Sequence, residues 1–360
     1  MVDTAVSNLS MKLLIKIDNK GIFEMHDHLR DMGQTIAEKE KVGTRLWEAA
    51  HLNTVSDINF SRLRLKGGNP QRFKVLCRPG LRYLHLRNVT IEGMKEDTLA
   101  VLPPSLIWLR LEHCPIATGK KGPIEKIFEA VRKPRHSRFV GHHRQLKIMQ
   151  LKDINSLFIS SLFSFPNIEQ LQHLNIEKSK SLETLPDSIG NLSGLLHLNL
   201  RGCRRLNSLP NTIGNLSKLQ YLNLEWCYRL SNLPDTIGNL SQLQQLDLEG
   251  CDKLTNLPDT IGNLSQLQHF NLRGCYRLNN LPNTIGNLSQ LQHLDLKWCY
   301  TLNNLPNTIG NLSRLLHLDL RGCRRLNNLH DTINNLPQLQ YFLSNLCCKT
   351  STCTRKRCGD

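Results

Sequence analysis

A 24-residue beat runs through the second half of this 360-residue chain. Cysteine marks it at Cys203, Cys227, Cys251, Cys275, Cys299, Cys323 and Cys347. Proline keeps the same interval from Pro186 to Pro306, and isoleucine from Ile189 to Ile333. A fixed period of this length means that one supersecondary unit is copied and stacked, because a single copy cannot bury its apolar side alone. A chain built this way grows by addition and presents a long face.

One full unit reads Leu195-x-x-Leu198-x-Leu200-x-x-Cys203-x-x-Leu206-x-x-Leu209-Pro210-x-x-Ile213-Gly214-Asn215-Leu216. The alternation at Leu198 and Leu200 predicts a short strand with its leucines on one face. Pro210 fixes φ and needs no donor, so it suits the start of a return segment with a short helical turn. Glycine and asparagine tolerate left-handed backbone and are expected to close that turn, as at Gly190-Asn191. The unit resembles the leucine-rich repeat. The resemblance implies an α/β repeat solenoid, a right-handed horseshoe with a parallel sheet on its concave side. The in-frame cysteines then point inward together, as free thiols acting like small hydrophobes.

Four regions follow. Residues 1–52 hold a predicted hairpin (Leu13–Ile17 with Ile22–Met25) and a helix, too little to bury a core alone. Residues 53–166 carry the strand half of the frame irregularly, at Leu81-x-x-Leu84-x-Leu86, Leu106-x-x-Leu109-x-Leu111 and Leu146-x-x-Met149-x-Leu151, with a basic insertion over 117–147. Between Gly119 and Leu151 that stretch sets nine basic side chains against two acidic ones. Residues 167–346 hold the regular repeats, of which the last is degenerate at Phe342 and Ser344. Residues 347–360 form a cysteine-rich and basic tail.

The repeat converts sequence positions into stripes. One is Asn175, Asn199, Asn223, Asp247, Asn271, Asp295 and Asp319. The next runs Glu177, Arg201, Glu225, Glu249, Arg273, Lys297 and Arg321. Beside it lie Lys178, Gly202, Trp226, Gly250, Gly274, Trp298 and Gly322, then Arg204, Tyr228, Asp252, Tyr276, Tyr300 and Arg324. All are expected to face outward. Tryptophan, tyrosine and arginine are enriched at binding hot spots. The predicted partner-binding residues are therefore Arg201, Glu225, Trp226, Tyr228, Glu249, Arg273, Tyr276, Lys297, Trp298, Tyr300 and Arg321. Against this stands a plainer reading, in which the aromatics pack over glycines of neighbouring repeats and cover the core edge.

Near the start the chain reads Leu14-Ile15-Lys16-Ile17, then Gly21-Ile22-Phe23-Glu24-Met25-His26-Asp27-His28-Leu29-Arg30-Asp31-Met32-Gly33, then Thr44-Arg45-Leu46-Trp47. This resembles the Met-His-Asp segment of plant intracellular disease-resistance proteins, the nucleotide-binding, leucine-rich-repeat receptors, and most of all their Toll/interleukin-receptor-type subgroup. The resemblance covers the C-terminal part of such a receptor only. It implies a small winged-helix remnant before the repeats, with His26 as a vestigial nucleotide-sensing residue supported by Asp27. Residue chemistry alone favours a plainer role for His26 and Asp27, capping a helix start. It also implies a protein partner: a pathogen effector, a guarded host protein or a receptor domain. An alternative is an intracellular scaffold related to the plant Ras-group leucine-rich-repeat proteins, whose repeats also use Leu-Pro-x-x-Ile.

Other functions find little support in the residues. The chain has no G-x-x-x-x-G-K-[ST] phosphate loop, so ADP or ATP is expected only if a module bearing that loop is supplied upstream or in trans. His136, His142 and His143 lack partnered carboxylates, and the spacing of Cys347, Cys348, Cys353 and Cys358 is not a zinc pattern, so neither enzyme nor metal site is expected. Acidic residues at Glu225, Glu249 and Asp252 interrupt the arginine stripes, which argues against nucleic acid. No secretory signal or membrane-length apolar run is visible, so the Asn-Leu-Ser sequons at Asn191, Asn215 and Asn239 read as turns. The expected location is the cytoplasm, with the nucleus admitted by Arg132-Lys133-Pro134-Arg135 and Arg355-Lys356-Arg357.

Overall fold

A computed structural model describes residues 168–326 and 336–344, Ile333 between them, and upstream 82–87, 106–113 and 146–153; of 16–17, 23–24 and 62–66 it describes the backbone. Twelve strands form one open parallel sheet in chain order. The first four are β3 (Arg62–Lys66), β4 (Tyr83–Arg87), β5 (Trp108–Glu112) and β6 (Ile148–Lys152). Then come three-residue strands from β7 (His173–Asn175) through β13 (His317–Asp319) to β14 (Tyr341–Leu343). The 24-residue beat is the strand register: His197 pairs with Tyr221, and Gln245 with His269. This is the expected horseshoe.

Separately, β1 (Lys16–Ile17) and β2 (Phe23–Glu24) pair antiparallel, within the predicted hairpin. The helix expected after it, the residues His26 and Asp27, positions 117–145 of the basic insertion and the tail 347–360 lie outside the described residues. One strand was not expected. β3 makes four irregular strands where the leucine frame indicated three. Its frame is Phe60-x-x-Leu63-x-Leu65, with phenylalanine in the first leucine's place.

Leucine builds the core. Leu195, Leu198, Leu200, Leu206, Ile213 and Leu216 are fully buried, and their apolar copies among the described residues of the regular repeats are buried too. Burying each such side chain contributes about 1.5–3 kcal/mol. The frame cysteine completes this layer as expected. The Sγ–H of Cys203 donates to the Ile176 carbonyl at 2.9 Å, and Cys323 to that of Leu296 at 3.1 Å. Burial pushes both thiols up to about 12, so they remain unreactive.

The return segment after each proline is a five-residue 3-10 turn, from Asp187–Asn191 to Asn307–Asn311. Pro210 holds φ at −70°, and Ile213 N–H donates to its carbonyl at 3.0 Å. Threonine ties successive turns together: Thr260 Oγ1 donates to the Asp235 carbonyl at 2.6 Å. The glycine of Ile-Gly-Asn has a different role from the expected one. Among the described glycines, positive φ occurs at Gly202, Gly250, Gly274 and Gly322, and not in the turns. What the turn requires is closeness: a Cβ on Gly214 would meet the Thr236 carbonyl oxygen at 2.5 Å and Thr236 Cβ at 2.8 Å.

Gly214→Ala should therefore push two turns apart and cost about 1–3 kcal/mol, as overpacking does elsewhere. Thermal unfolding beside Ser217→Ala, an exposed neighbour, checks it. Equal midpoints for the two variants would show that the turns are not in contact.

Candidate protein-binding face

Within each strand, burial alternates as the pleat requires. Leu198 and Leu200 point inward, while His197, Asn199 and Arg201 line the concave face. Past the strand the chain turns sharply, and one residue per repeat takes the left-handed region. Glycine holds that place at Gly202, Gly250, Gly274 and Gly322, with φ between 69° and 83°. Trp226 and Trp298 hold it with φ of 60° and 66°, as do Lys178 and, in the irregular strands' turns, His113 and Asp153.

This backbone aims each indole at the next repeat. A Cβ on Gly250 would lie 2.7 Å from Trp226 Cδ1, and one on Gly322 would lie 2.5 Å from Trp298 Cδ1. From the preceding repeat an arginine covers each ring. The Arg201 guanidinium carbon is 4.5 Å from the Trp226 centroid, and Arg273 is 4.5 Å from that of Trp298. Lys297 Nζ also lies 4.5 Å from the Trp298 centroid. The indoles are thus wedged between neighbours, as the plainer reading held, yet Trp298 remains 37% exposed and Trp226 half-buried.

Beyond them runs the tyrosine row. Tyr276 and Tyr300 stack with centroids 5.1 Å apart and planes 7° from parallel. Arg324 lies 5.0 Å over Tyr300, and Arg204 lies 5.5 Å over Tyr228. Tyr276 is 39% exposed. Of the predicted residues, the structure therefore assembles two groups, one around Trp226 and one around Trp298.

Three predicted positions differ from expectation. Glu225 is only 2% exposed and holds Arg201 Nε at 3.0 Å, so it serves as the buried counter-ion of that arginine. Arg321 is committed to Asp319 of its own strand, with Nη2 at 2.6 Å from the carboxylate. The asparagine/aspartate stripe is partly structural. Each Oδ1 accepts the backbone N–H two residues on, as from Arg201 to Asn199 at 2.9 Å and from Glu249 to Asp247 at 2.9 Å. Asn223, Asp247 and Asp319 are buried in that role. Glu249, as predicted, stays on the face; it receives Asn271 Nδ2 at 3.2 Å and stands 3.9 Å from Arg273 Nε.

The family model described as a leucine-rich repeat region matches residues 127–257 and 246–356. The chain belongs to the leucine-rich repeat family. Among solved structures, the leucine-rich repeat domain of the type III effector XopL is 33% identical over 48% of this chain and 67% of its own, with a TM-score of 0.39. An internalin from Listeria monocytogenes is 18% identical over 78% and 76%, at 0.44. A chain of the Toll–Spatzle complex of Drosophila is 20% identical over 82% of this chain and 37% of its own, at 0.58, a likeness of fold. A leucine-rich repeat domain is typically a protein–protein interaction module and generally a non-catalytic scaffold. Among the described residues no group of three or more His, Cys, Asp or Glu is placed to hold a metal ion, and no helix is long and apolar enough to cross a membrane.

Sequence reasoning overlooked one row of this leucine-rich repeat face. At the strand's first position, in register, stand His173, His197, Tyr221, Gln245, His269, His293, His317 and Tyr341. His173 and His197 stack at 4.5 Å, and so do His269 and His293. The 24-residue spacing of the histidines was the available signal.

Two pH responses follow. Burial lowers His173 and His197 from 6.5 to about 4, with the neighbouring ring's charge adding to the effect at His197. Stability from a depressed histidine is complete above 6.5 and lost as pH falls toward 4. The urea midpoint of the wild type should therefore fall more than that of His173→Gln/His197→Gln between pH 7 and 4.5; parallel falls would refute the burial. Asp247 has the opposite sign. Burial pushes it from 3.8 up to about 7, opposed by the Glu249 N–H and reinforced by the charges of Glu225 and Glu249. Its contribution is complete below 3.8 and lost as pH rises through 7. Asp247→Asn keeps the Oδ1 acceptor, so it should stabilise the protein at pH 8 and confer less advantage at pH 4, measured by the same titration.

Proposed function

We propose that this chain is the recognition part of a plant disease-resistance receptor, which grips a protein partner on the concave face without hydrolysing nucleotide. The observation that carries the binding face is the pair of tryptophans in left-handed backbone. A bulky side chain there costs about 1–2 kcal/mol that glycine avoids, and neighbouring repeats do carry glycine at Gly202 and Gly250. Strained residues that remain partly exposed point to a role outside the fold's own stability. The contact residues are Trp226, Tyr228, Tyr276, Trp298 and Tyr300, with Arg201, Arg273, Lys297 and Glu249 setting charge. Glu225 supports them from within, and Arg321 is held by Asp319 beside them.

The Met25-His26-Asp27 segment ahead of the repeats supports the immune reading. Residues 1–52 are then the receptor's winged-helix remnant, 53–166 and 167–346 its irregular and regular repeats, and 347–360 a tail. The partner is a pathogen effector, a guarded host protein or a receptor domain, met in the cytoplasm or nucleus. The Toll–Spatzle complex is a precedent for this fold holding a protein. The Leu-Pro-x-x-Ile frame favours a second reading, an intracellular scaffold outside immunity, for which the Met-His-Asp segment has no use.

A photo-crosslinking amino acid at position 276 or 217, in chain expressed in pathogen-challenged leaves, tests the reading. A protein captured from 276, not from 217, and at least about tenfold less after Trp226→Gly/Trp298→Gly is the expected outcome. Capture indifferent to the tryptophans would overturn the face. A captured partner whose loss leaves pathogen-triggered cell death unchanged would favour the scaffold.

A further inference from the structure

The two tryptophan clamps are one object built twice. Arg201, Trp226, Tyr228 and Gly250 recur 72 residues later as Arg273, Trp298, Tyr300 and Gly322. The arginine-to-indole distance is 4.5 Å in both, and both indoles lie over the following glycine. Between the clamps, a Cβ on Gly274 would meet nothing closer than 3.7 Å, so the floor there is open.

We propose that the clamps are paired subsites for one extended segment of a partner protein, taking an apolar side chain at Trp226 and a carboxylate four residues away at Trp298. This rests on the concave face being the binding face. Three strand steps of about 4.8 Å place the clamps about 14 Å apart. An extended chain advances about 3.4 Å per residue, so about four residues span that distance. Side chains at i and i+4 share one face of an extended chain, whereas i+3 and i+5 point away. The residue at i+2 falls between the indoles, over the open floor at Gly274.

Charge distinguishes the two ends. At the first clamp Arg201 is satisfied by buried Glu225 at 3.0 Å, which leaves a neutral indole edge. At the second the residue equivalent to Glu225 is Lys297. Lys297 and Arg273 both lie 4.5 Å from the Trp298 centroid, and Glu249 reaches Arg273 only at 3.9 Å. Half-buried Asp295, whose Oδ1 accepts the Lys297 backbone N–H, offsets part of this charge, and the remaining cationic surplus fits a carboxylate. Single-stranded nucleic acid fits less well, because Glu249 and Asp252 stand between the clamps on the same face.

The probe is a phage library of random nonapeptides, selected on the wild type and counter-selected on Trp226→Gly/Trp298→Gly. Those changes restore the residue that neighbouring repeats carry, and a thermal melt confirms folding. The expected consensus pairs an apolar residue with Asp or Glu four positions away. A synthetic peptide with Leu and Glu at that spacing should bind about tenfold tighter than the same composition at a spacing of three. Lys297→Glu should transfer the preference to Lys. Peptides that depend on the tryptophans but show no fixed spacing, or ignore Lys297→Glu, overturn the paired subsites and leave the face standing. Peptides that bind the double-glycine variant equally well overturn both. Oligothymidine binding as tight as the peptide's also refutes the proposal.

Discussion

The register between strands is the constraint on which the rest depends. In the regular repeats each strand residue lies beside its counterpart 24 positions on, and in the irregular ones beside its counterpart in the frame, so any repeated side chain is stacked on its own copies about 4.8 Å away. Leucine and thiol accept this; charge does not. The column through Glu112, Lys152, Glu177, Arg201 and Glu225 accordingly alternates in sign, with Lys152 3.3 Å from Glu177 and Arg201 3.0 Å from Glu225. At Glu225 the alternation stops: Glu249 follows it with the same sign, and then Arg273, Lys297 and Arg321 follow one another. Their repulsion is relieved sideways: Arg321 turns to Asp319 in its own strand, while Arg273 and Lys297 turn to the face of Trp298.

A left-handed tryptophan carries a backbone cost that glycine avoids. The backbone term costs about 1–2 kcal/mol, and an exposed cation–π contact returns about 0.5–1 kcal/mol. Packing over Gly250 or Gly322 offsets the remainder. Gly202, Gly250, Gly274 and Gly322 show that the solenoid closes without an indole there. At the two sites where it is present, it covers the following repeat's glycine and carries the preceding repeat's arginine.

Period-based reading captures what a single repeat determines. The strand, its inward leucines, the buried cysteine and the helical return were all legible because each depends on residues of one copy. What one copy does not determine was missed or misassigned. Gly214 looked like a left-handed turn residue, but its reason is Thr236 of the next repeat. Asn199 looked like surface, but its Oδ1 belongs to the backbone two residues on. Glu225 looked like a contact, but the arginine 24 residues earlier draws it inward. β3 escaped because phenylalanine at position 60 replaced the leucine being counted.

The face is also polarised across the strands. The row at the strand start, from Tyr83 against Trp108 edge-on at 4.8 Å to the stacked histidines, is aromatic and, with His173 and His197 lowered to about 4, largely neutral. The row past the strand end is aromatic and cationic. A segment crossing the sheet would meet both chemistries at any repeat, and nothing would fix where along the solenoid it sat. A segment running along the solenoid meets near-identical contacts at each step. Its position is then decided by the places where the copies differ: Lys297 for Glu225, and Asp252 where Tyr228, Tyr276 and Tyr300 stand in other repeats. In a structure made of copies, only the departures distinguish one repeat from the next.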